Sequence, residues 1–223
     1  MRKTTLDFNP CMKHQLIRKT VREFAESEIK PHVAILDKAS RFPWNIVEKM
    51  KPLNFFGLQV PEEYGGAGLD TISYTIAIEE LSRVSAALGL CVTVHNSVGI
   101  LPILAFGTRA QKEKFVPPMA RGDSIGAFCL TEANAGSDAG GVETWAVDNG
   151  DAYVLNGTKI FASNGPVSDV ALVYAATDPE RGFLGGITAF LVEAGTPGFS
   201  KGQTFEKMGL RTSPIGELVF QDA

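Results

Sequence analysis

Apolar residues recur at helical spacing through the first half of this chain and in short strand-length runs through the second. Ile17, Val21, Phe24, Ala25 and Ile29 share one face between the cap-like pair Asn9-Pro10 and Pro31, which predicts an amphipathic helix. A second, shorter helix is predicted from Pro43, with Trp44, Val47 and Met50 as its apolar stripe. Glycines and a proline crowd the stretch from Leu58 to Gly68 and predict a loop. Tyr74, Ala77, Leu81, Val84 and Leu88 restore the helical period, and Glu79 is spaced to pair with Arg83 one turn on. No charged residue lies between Arg83 and Arg109, a length able to span a bilayer. His95-Asn96-Ser97 sits at its centre, however, with Pro102, Gly89, Gly99 and Gly107 also inside, so buried helices and no membrane span are expected. Thr108 and Gln111 have capping-box spacing and start a solvated helix that Pro117-Pro118 should stop.

Past Gly122-Asp123 the pattern changes period. The run from Ile125 to Leu130 is apolar without alternation, as in a short buried strand. Asn149-Gly150 and Asn156-Gly157 are hairpin signals flanked by β-forming residues such as Tyr153-Val154-Leu155 and Ile160-Phe161. Residues 170–174, 187–192 and 217–220 read as further strands. The expected fold class is therefore α+β in two packed units, a helical domain over 1–122 and a β domain over 123–223. The chain ends at Ala223, directly after a strand, with no helix to follow.

Composition narrows the function classes. The 21 basic and 25 acidic residues give a net charge of −4, with no basic stripe interleaved with aromatics, which argues against a nucleic-acid partner. Cys11, Cys91 and Cys129 are odd in number and far apart, without CxxC or histidine spacing. Neither a disulfide framework nor a metal site is expected, and a reducing cytoplasm fits. The opening Met1-Arg2-Lys3-Thr4-Thr5-Leu6-Asp7 has no apolar core of a signal peptide, so export is not expected.

Two polar clusters could carry chemistry. Thr131-Glu132-Ala133-Asn134-Ala135-Gly136-Ser137-Asp138 follows the strand Ile125–Leu130 and gathers hydroxyls, small side chains and main-chain N–H groups. An ordinary turn has the same composition, so the loop alone decides nothing. The second cluster is Lys159-Ile160-Phe161-Ala162-Ser163-Asn164-Gly165. Phe161 and Ser163 are two apart in a strand and emerge on one face, where an aromatic surface and a hydroxyl suit a flat heterocycle. A core phenylalanine beside a strand-end serine is the alternative. Nucleophilic catalysis finds no support: there is no GxSxG, and His14, His32 and His95 all fall in helical territory. His95 is expected to be satisfied by a nearby carbonyl. Glu79 and Glu80 point to different helix faces and are expected on a solvated surface, and Gly65, Gly66 and Gly68 form a plain turn.

In combination these stretches resemble the acyl-CoA dehydrogenase family. The resemblance is carried by Val60-Pro61-Glu62-Glu63-Tyr64-Gly65-Gly66, Glu79-Glu80-Leu81-Ser82-Arg83, Phe106-Gly107-Thr108, Phe128-Cys129-Leu130-Thr131-Glu132, Ala135-Gly136-Ser137-Asp138, Asn156-Gly157-Thr158-Lys159 and Met208-Gly209-Leu210-Arg211. His95-Asn96-Ser97 resembles the short-chain, butyryl-CoA members. The resemblance implies a helical N-terminal domain followed by an antiparallel, β-barrel-like middle domain. It implies an FAD cofactor held by Phe128, Cys129, Leu130, Thr131, Gly136, Ser137, Phe161, Ala162 and Ser163, with Ser137 also beside the acyl-CoA pantetheine. Phe161 stands where the family usually has Trp, Ser163 where it usually has Thr, and Ala133 where proline is common. The implied reaction takes a short-chain acyl-CoA to its trans-2-enoyl-CoA, with an electron-transfer flavoprotein or similar acceptor and a homo-oligomeric or partner-completed assembly. The family's C-terminal helical domain, which brings the catalytic base, has no counterpart here, so the chain is expected to contribute no catalytic residue and to be inactive alone. A non-catalytic fragment, a subunit completed by a partner and a flavin monooxygenase on the same scaffold are the alternatives.

Overall fold

The computed structural model describes residues 10–182 and 184–223. Helices fill the first half, beginning with α1 (Met12–Phe24), α2 (Val33–Ala39) and α3 (Trp44–Met50). They continue as α4 (Thr71–Val84), α5 (Ala86–Thr93), α6 (Leu101–Phe106) and α7 (Arg109–Ala120). Asn9 lies outside the described residues, and α1 starts two residues later than Pro10 suggests, with Cys11 at its N-cap. Val21, Ala25, Ile29, Ile46, Val47, Met50, Leu81 and Leu88 come from these successive faces and close one core. Trp44 is the exception to its expected stripe; it stays half exposed and packs edge-on against Phe42, with ring centroids 4.7 Å apart.

Local chemistry moves several boundaries. The apolar period through Leu88 belongs to two helices, because Ser85 breaks it with an extended backbone and caps α5 by accepting the N–H of Leu88 on Oγ. The capping box of α7 forms as expected, but the helix runs through Pro117 and Pro118 to Ala120. Prolines donate no N–H, and the burial of Phe115, Val116, Met119 and Ala120 holds the last turn instead. Arg83 bonds to Glu80 and Glu26, not Glu79, and Glu80 is buried beneath Arg18, Arg22 and Arg83. The expectation of a solvated Glu79-Glu80 pair therefore holds only for Glu79. The helical run Ala86–Phe106 is long and apolar enough to cross a membrane, yet 56% of its most apolar window is buried inside this fold.

Between α5 and α6 the helix widens into a π-helical segment, Val94–Ile100, which packs on the first strand of the second half. That half is one seven-stranded sheet of β1 (Gly126–Cys129), β2 (Trp145–Asp148), β3 (Tyr153–Ser163), β4 (Val170–Ala176), β5 (Ile187–Glu193), β6 (Phe199–Thr204) and β7 (Ile215–Phe220). Its order is β1-β4-β2-β3-β7-β6, with β5 on the other edge of β4. The sheet is mixed, which corrects the antiparallel expectation: β1 runs parallel to β4 from Gly126↔Val170 to Cys129↔Val173, and β2 meets β4 parallel at Trp145↔Ala176. The reason is the polar loop after β1. It carries the chain to β2 without a hairpin, so β1 and β2 both line up along the same side of β4.

Asn149-Gly150 does form the β2–β3 hairpin, but Asn156-Gly157 does not turn the chain. It lies inside β3, where the strand leaves β2 at Asn156 and begins to pair with β7 at Gly157. Gly157 has φ +147°, and a Cβ there would collide with the Thr144 hydroxyl, so the motif is a bend between two sheet surfaces. Ala127, Cys129, Ala146, Leu155, Ala162, Ala171, Val173, Leu218 and Phe220 fill the inside of the curled sheet.

Two buried side chains fasten the helices to the mouth of β1. The Gly126 N–H donates to His95 Nδ1 at 2.9 Å, so the ring proton sits on Nε2, which donates to the Met119 carbonyl at 3.0 Å. His95 is thus the satisfied core histidine that the sequence suggests, and burial lowers its pKa to about 4. Asn164, in the left-handed conformation at the end of β3, donates from Nδ2 to the carbonyls of Cys91 at 3.0 Å and Gly126 at 3.4 Å.

Candidate functional site

The two polar clusters meet along one edge. Past Cys129 the chain continues beside β3, and the Ile160 N–H donates to the Thr131 carbonyl at 2.9 Å. One residue back on β3, Lys159 is fully buried, and its Nζ donates to the Leu130 carbonyl at 3.1 Å and to Glu132 Oε1 at 2.6 Å. Glu132 also accepts the N–H groups of Glu143 at 2.6 Å and Thr144 at 3.0 Å. The carboxylate therefore clamps both ends of the loop that runs from Thr131 to Thr144. Burial opposes its charge, but the donors Lys159, Thr144 and Glu143 outweigh that and hold its pKa below the usual carboxylate range. Within the loop, Glu132 and Ala135 exchange main-chain hydrogen bonds, and the N–H groups of Ala133, Asn134, Gly136 and Ser137 find no backbone acceptor among the described residues.

A β-bulge aims the aromatic ring. Lys159 faces Leu218 and Ala162 faces Gly216, so β3 spends three residues where β7 spends two. Without the extra residue Phe161 would share the inward face of Lys159, because strand side chains alternate. With it, Ala162 turns into the core and Phe161 turns out, 55% exposed, with a left-handed φ of +54°. Such a backbone is strained for an aromatic residue and concentrates at functional places. Phe161 rests on Phe205 with ring centroids 5.1 Å apart, leaving its other surface open. Ser163 lies two residues on, partly exposed, before Asn164 ends the strand.

The expected contact residues divide by face. The Ile160–Thr131 bond sets Thr131 beside the strand that carries Phe161 and Ser163, and Leu130 is half buried. Gly136 and Ser137 lie exposed in the loop. Phe128 is half buried and packs on Tyr174 with centroids 5.3 Å apart. Cys129 and Ala162 point into the sheet interior, so only their main chains can face a ligand. Sequence reasoning passed over the clamp of Glu132 and Lys159 and the fastening by Asn164. A signal for Lys159 existed: it stands four residues from the core residue Leu155 in the strand alternation.

This strand and loop offer an open aromatic surface, the hydroxyls of Thr131 and Ser163, and loop N–H groups without main-chain acceptors among the described residues. That donor set fits a flat heterocycle with carbonyl oxygens at one end, as in a flavin ring. The buried carboxylate of the cluster is not free to act as a base: Glu132 is fixed by Lys159 and two N–H donors.

Comparison with known proteins adds the family. The acyl-CoA dehydrogenase N-terminal domain model matches residues 12–123 and the acyl-CoA dehydrogenase middle domain model matches residues 127–223. The short-chain specific acyl-CoA dehydrogenase of Clostridium acetobutylicum is 46% identical over 217 residues, covering 97% of this chain and 57% of its own length. The structure of butyryl-CoA dehydrogenase from Megasphaera elsdenii superposes with a TM-score of 0.92 at 42% identity, over 97% of this chain and 57% of that one. A glutaryl-CoA dehydrogenase from Mycobacterium smegmatis in complex with FADH2 superposes with a TM-score of 0.88 at 34% identity, over 97% of this chain and 53% of that one. The chain thus spans little more than half the length of the relatives it matches.

Proposed function

The chain belongs to the acyl-CoA dehydrogenase family, and from that premise we propose that its strand edge is the flavin-facing part of an enzyme that desaturates a short-chain acyl-CoA between Cα and Cβ. The observation that carries the reading is the junction of Thr131 with Ile160, which sets the loop donors beside the outward-turned Phe161. In this reading Thr131 and the neighbouring loop N–H groups donate to the pyrimidine end of the flavin ring, Phe161 packs against its face, and the Ser163 hydroxyl lies at its edge. Ser137 meets the pantetheine of the acyl-CoA. When bound, FAD supplies the two-electron acceptance that a hydride leaving Cβ requires. Fixed N–H dipoles favour the negative charge that gathers on the pyrimidine end as the ring is reduced, and they need no reorganisation to do so.

Removal of the Cα proton needs a carboxylate free to accept it and positioned across the substrate. Glu132 is committed to the buried Lys159, and the buried Glu80 to the partly exposed Arg18 and Arg22. By likeness to the family, whose C-terminal helical domain brings the base and whose relatives run well beyond the stretch matched here, the base is assigned to a group outside these 223 residues, and an electron-transfer flavoprotein or similar acceptor removes the electrons. The three free cysteines, two of them buried, agree with a cytoplasmic setting. The test is turnover of butyryl-CoA with a dye acceptor, by the chain alone and after addition of a helical polypeptide equivalent to the remainder of the Clostridium relative. The reading predicts no dye reduction alone and recovery on mixing. Dye reduction by the unsupplemented chain contradicts it.

A further inference from the structure

We infer that Lys159 is a positioning residue for the flavin-facing loop, acting through Glu132 and Leu130 to fix the loop against the strand that carries Phe161. The inference rests on the flavin reading for its purpose and on the geometry alone for its mechanism.

An ion pair in a core is a poor means of holding a fold together, because an apolar pair of equal volume serves as well or better. Lys159 lies among residues of an apolar interior, with Leu155, Ala162 and Leu218 nearby on the inward side. What the ammonium does that a Met or Leu cannot is connect three pieces of chain at once. One N–H bond reaches the carbonyl of Leu130, at the exit of β1. A second reaches Glu132, whose oxygens hold the N–H groups of Glu143 and Thr144 at the far end of the loop. The lysine backbone itself sits on β3 at the start of the bulge, two residues before Phe161. Its side chain is therefore a strut of fixed length between the aromatic surface and the loop donors. The pairing is directional as well. With Lys159 neutral or absent, Glu132 keeps its two N–H donors but loses the cation, and the loop retains closure without a fixed distance to β3.

The experiment uses the full 223-residue chain and the variants K159M, K159R and the double variant K159M/E132Q. Amide hydrogen exchange over residues 131–144 is read without flavin, and FAD binding is read by its fluorescence and visible band. K159M is expected to exchange roughly tenfold or more faster in that loop, from the loss of the ammonium's hydrogen bonds to Leu130 and Glu132, while α1 to α7 exchange as before. FAD retention should fall by a similar factor, and K159R should recover part of both. Should K159M fail to fold, K159M/E132Q removes the stranded carboxylate while its amide oxygen still accepts the Glu143 and Thr144 N–H groups, and it must still show the loosened loop. Loop exchange at the wild-type rate in K159M or in the double variant overturns the inference. A wild-type chain that leaves FAD unperturbed would instead contradict the flavin reading, with the exchange comparison still deciding the strut.

Discussion

Ile160 donates its main-chain N–H to the carbonyl of Thr131 at 2.9 Å, and this single bond turns two polar clusters 29 positions apart into one continuous edge. The edge is sharpened by a bulge that rotates the next residue, Phe161, from the core face to the open face. Strand alternation alone would have buried that ring.

The left-handed backbone of Phe161 reverses an ordinary rule of substitution. Alanine normally outranks glycine in a strand, but at φ +54° it keeps the Cβ strain that glycine escapes. F161G should therefore be more stable than F161A by about 1 kcal/mol, although both lose the contact with Phe205. Urea denaturation of the two variants checks the order.

His95 gives the fold a pH dependence of definite sign. Its pKa is lowered from 6.5 to about 4 by burial, so the unfolded chain binds a proton that the folded chain refuses between those values. The neutral form is favoured by folding, its contribution is complete above pH 6.5, and it is lost as pH falls toward 4. The full effect is on the order of 3 kcal/mol. Stability measured against pH should have a steeper slope through this window in the wild type than in H95Q, which removes the titrating ring; equal slopes would contradict it.

Glu80 is the anion under three arginines that come from α1 and α4. Hydrogen bonding from Arg22 leads the causes that hold its pKa down at about 2. Replacing it by glutamine leaves the three guanidiniums without their shared counter-charge at the α1–α4 contact. E80Q should destabilise the chain by about 1 to 2 kcal/mol, because the arginines it leaves are partly exposed, whereas E79Q, on the exposed face, should change it by less than about 0.5 kcal/mol. Thermal melts of the two variants separate them.

Gly157 tests the bend within β3. A Cβ would enter the space of Thr144, with the Thr144 Cα only 2.7 Å away, and φ is +147°. G157A should cost about 1 to 3 kcal/mol, and N156A, which loses a side-chain pair with Asp222 at the surface, should cost about 1 kcal/mol or less.

That pair of residues marks how far the sequence could be read. The helical half and the strands at 126–129, 170–176 and 187–193 were legible, because burial leaves a period, whereas only the resemblance to a family, not composition, joined the two polar clusters. The strands β2 and β6 were not legible. β6 has the sequence Phe-Ser-Lys-Gly-Gln-Thr and lies exposed along nearly its whole length, so no core face writes an alternation into it. Asn156-Gly157 carries the composition of a turn while performing a bend, because both need backbone freedom from the glycine. The parallel pairing of β1 with β4 is a matter of connection across the polar loop, to which side-chain period is blind. The burial of Glu80 was hidden for another reason: its cations come from α1, 58 and 62 positions away.

The most direct measurement is the visible difference spectrum of FAD titrated with the chain, wild type against the double variant F161A/S163A. The flavin face predicts a saturable shift of the flavin band with the wild type and a shift reduced by roughly tenfold in apparent affinity with the double variant, whose fold is checked by circular dichroism. Identical titrations for the two proteins would contradict it.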